Sequence, residues 1–204
     1  MAEKSRLVEQ FKDQAALVST VVAEAGDLSG AIDYALRIAL AKPPLKPLMP
    51  VAGEGGPRPV LAAPGLTPSR LEELTRRGRE AGVEVIAGGL RGRMAGIDVG
   101  FSLAALALAD TATLVLSSPG EDERLAGMIS EIHVVALDQR RIAPDSRGAE
   151  SFLAESLAGT GQVSFISGCS RTSDIERVLA LGVHGPLELH VVLMTGGGHD
   201  PEGI

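Results

Sequence analysis

Aromatic side chains are almost missing from this sequence: four Phe, one Tyr and no Trp make up 2% of 204 residues. A ligand site built from stacked rings is thereby excluded, and the interior must be filled by Ala, Leu, Val and Ile. Cysteine is as scarce. Cys169 alone permits no internal disulfide and cannot hold an iron–sulfur cluster, which takes about four thiolates. Electron transfer, if this chain takes part in any, needs a partner.

Positive charge is also in deficit. Lys plus Arg is 19 against 26 Asp plus Glu, a net charge of −7, and such a surface repels nucleic-acid backbones and anionic lipid. The local basic cluster Arg76, Arg77 and Arg79 reads as the solvated face of a helix. The longest apolar stretch, Val99 to Ala109, falls well short of the roughly 18 residues of a membrane span. The opening MAEKSRLVEQ carries charges where a secretory leader would be apolar, so a cytoplasmic location is expected. His184 and His190, with isolated carboxylates, do not have metal-ligand spacing; neither metal nor cofactor is expected on this chain.

What remains is an ordinary globular composition, 45% hydrophobic and 22% charged. Leu7, Phe11, Ala15, Val18 and Val22 form one apolar stripe and predict a helix over 3–25, ended by Gly26. Ile32, Ala35, Ile38 and Ala39 predict a second helix, so residues 1–41 read as a helical N-terminal arm. Six of the twelve prolines lie between Pro43 and Pro59, which marks 42–58 as a linker. The main domain is expected over 59–194, with 195–204 as a loose tail.

Within that domain, β-rich runs at Pro59–Ala62, Val83–Ile86, Thr113–Ser117, His133–Leu137, Val163–Ser167 and Leu189–Met194 alternate mostly with helical or loop segments. One clear helix starts at Thr67-Pro68 and stops at Gly82. The alternation predicts an α/β fold with a mostly parallel sheet flanked by helices. The apolar runs 113–116 and 163–166 fit strands covered on both faces.

The densest polar cluster is Ser167-Gly-Cys-Ser-Arg-Thr-Ser-Asp-Ile-Glu176, placed after one predicted strand and before an apolar run, Val178 to Leu181, read as helical. Ligands of open parallel sheets bind at such strand ends, where the next helix offers unpaired N–H groups. Here Gly168 would admit a close backbone approach, Ser167, Ser170 and Thr172 would offer hydroxyls, and Arg171 could clamp a small anion in two parallel bonds. The same residues also read structurally, because Ser173 with Glu176 forms a capping box and Arg171 can pair with Asp174. Cys169 reads as a small buried thiol or as a nucleophile served by His184 or His190; His190 itself lies in the last strand and is expected to bond through one nitrogen. Asp110, entering the strand at Thr113, is either a cap or a general acid/base. The run Gly88-Gly-Leu-Arg-Gly-Arg93 lacks the spacing of a phosphate loop.

These residues carry a resemblance. The 167–176 segment, Leu181-Gly-Val-His-Gly-Pro186, Glu188-Leu-His-Val-Val192 and Asp110-Thr-Ala-Thr-Leu-Val-Leu-Ser117 together resemble the LUD-domain family of the lactate utilisation protein C type. Ser170, Arg171, Thr172, Asp174, Glu176, His184 and Glu188 fall on its signature. The resemblance implies a fold like that of glucosamine-6-phosphate deaminase, ribose-5-phosphate isomerase and the CoA-transferases. It also implies a non-redox part in oxidising L-lactate to pyruvate, beside partner proteins that carry the iron–sulfur centres. This sequence departs from the pattern in three places: Cys169 replaces a usual Pro, Asp110 and Ala112 replace Glu and Gly, and Leu103-Ala-Ala105 replaces Gly-Ala-Asp. Two other readings stand beside the first: an enzyme on a sugar phosphate or acyl-CoA, with Asp110 as acid/base and Arg171 as clamp, or a ligand-binding protein whose catalytic groups have decayed.

Overall fold

The computed structural model describes residues 2–42, 58–93, 96–158, 162–172, 180–181 and 185–196. In chain order the elements are α1 (Ala2–Leu17), β1 (Thr20–Ala25), α2 (Leu28–Ala41), β2 (Val60–Ala62), α3 (Pro68–Ala81), β3 (Glu84–Ile86), β4 (Val99–Leu103), β5 (Leu106–Leu108), β6 (Thr113–Ser118), α4 (Glu121–Met128), β7 (Ile132–Asp138), β8 (Ile142–Ala143), α5 (Glu150–Ala158), β9 (Gln162–Ile166), β10 (Arg171–Thr172), β11 (Ala180–Leu181) and β12 (Glu188–Met194).

Six strands form the main sheet in the order β1-β12-β7-β4-β2-β3, every neighbouring pair parallel. Both faces are covered, as the unbroken apolar character of its central strands requires. Ile132, Val134 and Ala136 of β7 and Val192 and Met194 of β12 pack on Leu28, Ile32, Ala35 and Ala39 of α2. On the opposite face Val135, Leu137, Val191 and Leu193 meet Phe11 and Ala15 of α1 and Ala107, Leu114 and Leu116 of a second sheet. Each large apolar side chain buried this way contributes about 1.5–3 kcal/mol.

Two sequence expectations change. The helix predicted over 3–25 stops at Leu17: Ser19 takes a left-handed φ of 57°, and Thr20-Val21-Val22 open into β1. A helical period fits Val18 and Val22, but pairing along the whole of β12, from Thr20↔Leu189 to Ala25↔Met194, outweighs that local preference. Residues 1–41 therefore supply two helices and an edge strand of the sheet. At the other end, Thr195 and Gly196 donate backbone bonds to Ala25 and Gly26, so the first two residues of the expected tail are tied to β1. Of the linker, Lys42 reaches Glu188; residues 43–57 lie outside the described ones.

The second change concerns the strands at 113–118 and 162–166. They belong to a four-stranded sheet, β8-β5-β6-β9, in which β6 runs antiparallel to both β5 and β9. The run in β6 is continuous because the second sheet lies against the first on one side and against Phe152, Leu153 and Ala149 on the other. The run 163–166 is not covered on both faces: β9 is an edge strand, none of its residues is buried and Phe165 is exposed.

Candidate functional site

The antiparallel register Leu114↔Ile166 puts Thr113 opposite Ser167, and their hydroxyl oxygens stand 2.7 Å apart. Thr113 is 2.7 Å from the Thr111 hydroxyl, which donates to Asp110 Oδ1 over 3.1 Å. A hydroxyl has one proton to give, so Thr111 accepts from Thr113 and Thr113 accepts from Ser167. The two sequence-predicted regions, Asp110 and the 167 loop, are thus joined by a one-way hydrogen-bond chain. The β5–β6 turn that delivers Thr111 places Ala112 at φ 48°, a left-handed conformation that costs a non-glycine residue about 1–2 kcal/mol. Ala112 is the position where the resembled family carries Gly.

Ser167, Gly168, Cys169 and Ser170 line a cavity of about 320 Å³ together with Arg124, Glu123 and the exposed side chains of Met128 and Phe165. Gly168 has φ 82°, and a Cβ there would lie 2.6 Å from the Val18 carbonyl oxygen. The close approach that this glycine permits is to the α1–β1 turn of its own chain. Cys169 is buried among the core residues of the second layer. The Ser170 amide donates to the Pro186 carbonyl at 3.0 Å.

Arg171 stands apart from this cavity: it is exposed and donates through Nη2 to Ser19 Oγ at 2.6 Å. The segment after it differs from expectation. Arg171-Thr172 form β10, antiparallel to Ala180-Leu181 of β11, so the apolar run read as helical ends in a strand. The loop accordingly enters extended chain directly. Asp174, Glu176 and His184, with the capping residue Ser173, lie outside the described residues. Asp110 is exposed at its turn.

Residues that sequence reasoning passed over complete the site. Arg124 of α4 is the cation lining the 320 Å³ cavity, its Nη1 donating to the Gly120 carbonyl at 2.8 Å. A polar run, Glu121 to Arg124, directly after Ser118-Pro-Gly120 was the available signal. A neighbouring cavity of about 520 Å³ shares Leu116, Ser118 and Glu123 with the first and reaches the carboxyl ends of β2 and β4. Ser102 lines it, 2.9 Å from Nε2 of the fully buried His133. Burial pushes the His133 pKa down to about 4. A histidine inside the apolar run of β7 was its signature in the sequence.

A third polar group sits at the amino end of β12. The His190 ring bonds through both nitrogens, Nδ1 to the Tyr34 hydroxyl at 2.8 Å and Nε2 to Glu188 at 3.0 Å, whereas one bond was expected. Lys42 pairs with the other Glu188 oxygen, and the bonds from Lys42 and His190 hold that carboxyl below its ordinary pKa. Among the described residues no group of three or more His, Cys, Asp or Glu could hold a metal ion, and no helix is long and apolar enough to cross a membrane.

The profile of the LUD domain matches residues 8–194, from α1 through β12. The chain belongs to the LUD domain family. Among curated proteins it is similar to lactate utilization protein C of Geobacillus kaustophilus, 28% identical over 102 residues, and to that of Deinococcus radiodurans, 32% identical over 91. An uncharacterized protein of Neisseria meningitidis serogroup B is 35% identical over 99 residues. These matches take in 44–48% of this chain and 42–43% of the relatives, less than half of either. A crystal structure of a DUF162 family protein from Deinococcus radiodurans superposes on 94% of this chain and 98% of its own with a TM-score of 0.62 at 21% identity, which shows a shared fold. In this LUD domain the Ala105 backbone carbonyl receives Arg141 Nη1 at 3.0 Å.

Proposed function

We propose that this LUD domain serves lactate utilisation as a non-redox component, holding a small carboxylate, or the acidic tip of a partner, in the 320 Å³ cavity. One observation carries the reading: the signature loop, through Ser167 to Ser170, lines a cavity that also presents a guanidinium, that of Arg124. Arg supplies paired donors that match a carboxylate, and Ser167 and Ser170 bring hydroxyls beside it. The kinship with proteins named lactate utilization protein C supplies the setting. Oxidising lactate to pyruvate removes two electrons, and since one cysteine cannot hold a cluster, a partner would carry them; the resemblance makes that partner an iron–sulfur protein.

The test is deletion of this chain's gene in lactate-grown cells, followed by complementation. The reading expects loss of growth on lactate, restoration by the wild-type chain and by Arg171→Gln, and failure by Arg124→Gln. Purified wild-type protein is expected to gain thermal stability from millimolar L-lactate or pyruvate, and Arg124→Gln to lose that gain. Unchanged growth after deletion would sink the role, and equal stabilisation of Arg124→Gln would sink the site.

The second reading, an enzyme on a sugar phosphate or acyl-CoA with Asp110 as acid/base, draws on the hydroxyl chain that ends at Asp110. Turnover of such a substrate, lost in Asp110→Asn with the fold intact, would favour it.

A further inference from the structure

We propose that Ser102 is an acyl-accepting nucleophile, with His133 as its base, in the 520 Å³ cavity at the carboxyl ends of β2 and β4; this inference is independent of the role in lactate utilisation. Gly100 stands opposite His133 in the parallel β4–β7 register, and Ser102, two residues on, projects from the same face. Its Oγ lies 2.9 Å from His133 Nε2, the reach that a nucleophile and its base require. Burial lowers the imidazole pKa to about 4, so the ring is neutral at neutral pH with Nε2 as an acceptor, while the same burial weakens it as a base.

The surroundings are fitted to the pair. A Cβ on Gly100 would stand 1.9 Å from the Ala126 carbonyl oxygen, and one on Gly127 would stand 2.8 Å from His133 Cε1. Glycine at both positions lets α4 close directly over the imidazole and keep it dry. Ser102 remains open to the cavity, whose walls include Leu66, Leu103, Leu116 and Pro119. Among the described residues no Lys or Arg lines it, and Glu123 borders it, so a free carboxylate or phosphate is disfavoured there. An uncharged ester or thioester carbonyl suits it. Helix α3 begins at the cavity wall with Thr67 and Pro68, and the positive end of its dipole favours a developing oxyanion.

In the step itself, Ser102 Oγ bonds to the carbonyl carbon while its proton passes to His133 Nε2. The C–O or C–S bond then breaks, and the leaving alcohol or thiol takes that proton. Water adds to the Ser102 ester, giving up a proton through His133, and releases a carboxylic acid with the serine hydroxyl restored. No oxidant or reductant is consumed.

The full chain is incubated with p-nitrophenyl acetate, with p-nitrophenolate release followed optically and the acyl group located by mass spectrometry. The expected result is a burst of up to one p-nitrophenolate per chain, with the acetyl group on Ser102. Ser102→Ala abolishes it, Ser102→Cys retains acylation, and His133→Gln slows it by about a hundredfold or more. Circular dichroism verifies that each variant is folded; if His133→Gln does not fold, the two Ser102 variants decide. Folded wild-type protein that is not acylated at Ser102, or Ser102→Ala that reacts as fast, overturns the proposal.

Discussion

Ser167 and Asp110, which meet at one end of the antiparallel β6–β9 pair, are joined through the hydroxyls of Thr113 and Thr111, and every proton in that chain points toward Asp110. Thr113 is the link that matters most, because it is buried and bonded on both sides. Thr113→Val keeps the shape of the side chain and removes the hydroxyl. It is expected to cost about 1–3 kcal/mol in urea unfolding, as two partners lose a bond. A loss no larger than that of Thr111→Val, at the exposed end of the chain, would show that the relay does not act as a unit.

His133 sets an acid limit. Above pH 6.5 the ring is neutral folded or unfolded and adds no pH dependence. Between 6.5 and about 4 the unfolded chain binds a proton that the native chain does not, so stability falls as pH falls. The full displacement is worth about 3 kcal/mol, and His133→Gln is expected to flatten the slope of unfolding free energy over this window. A wild-type slope that persists in the variant would assign it to other groups.

Glu188 acts in a lower window. Its folded pKa is depressed by Lys42 and His190, so its contribution is present above the unfolded carboxylate pKa and is lost as pH falls through the folded one. With its side chain 40% exposed, solvent screening keeps the pair's worth at about 1 kcal/mol or less. Glu188→Gln is expected to cost that amount at pH 7 and progressively less as the pH falls through the folded carboxyl's pKa, read from paired denaturation curves.

Gly100→Ala tests the seating of α4. The added methyl meets a backbone carbonyl rather than a flexible side chain, so helix and sheet must part. A loss of about 3 kcal/mol or more is expected, at the upper end of overpacking costs, with His133 ring signals shifted in NMR spectra. Gly92→Ala, where no atom of the described residues lies within 4 Å of the new Cβ, is the control and is expected to change stability by about 0.5 kcal/mol or less.

The predicted strands inside 59–194 were legible because buried strands read as short apolar runs, and β2, β3, β6, β7, β9 and β12 all fall on them to within a residue or two. Their partners were not legible. Antiparallel β6 is as apolar as parallel β7, since both are enclosed by layers, whereas the edge strand β9 carries Gln162, Ser164 and the exposed Phe165. Edge strand β1 was hidden by an accidental helical period that only long-range pairing with β12 overrides. At the site, composition singled out the loop at 167–176, of which Ser167 to Ser170 line a cavity, but gave no guide to which cation shares it. Arg171 bonds Ser19 while Arg124, from a different element, lines the cavity. Ser102 and His133 are strand neighbours from distant parts of the chain, and no local motif joins them.

The pairing of β1 with β12 also bears on how the molecule is made. The strand synthesised first must wait for the strand synthesised last, while most of the chain emerges between them. Until β12 emerges, β7 keeps one open flank, and joining β1 to the sheet closes a long loop among the described strands. Refolding is expected to be slow for a domain of this size, because the edge strand β1 pairs only with a strand more than 160 residues away.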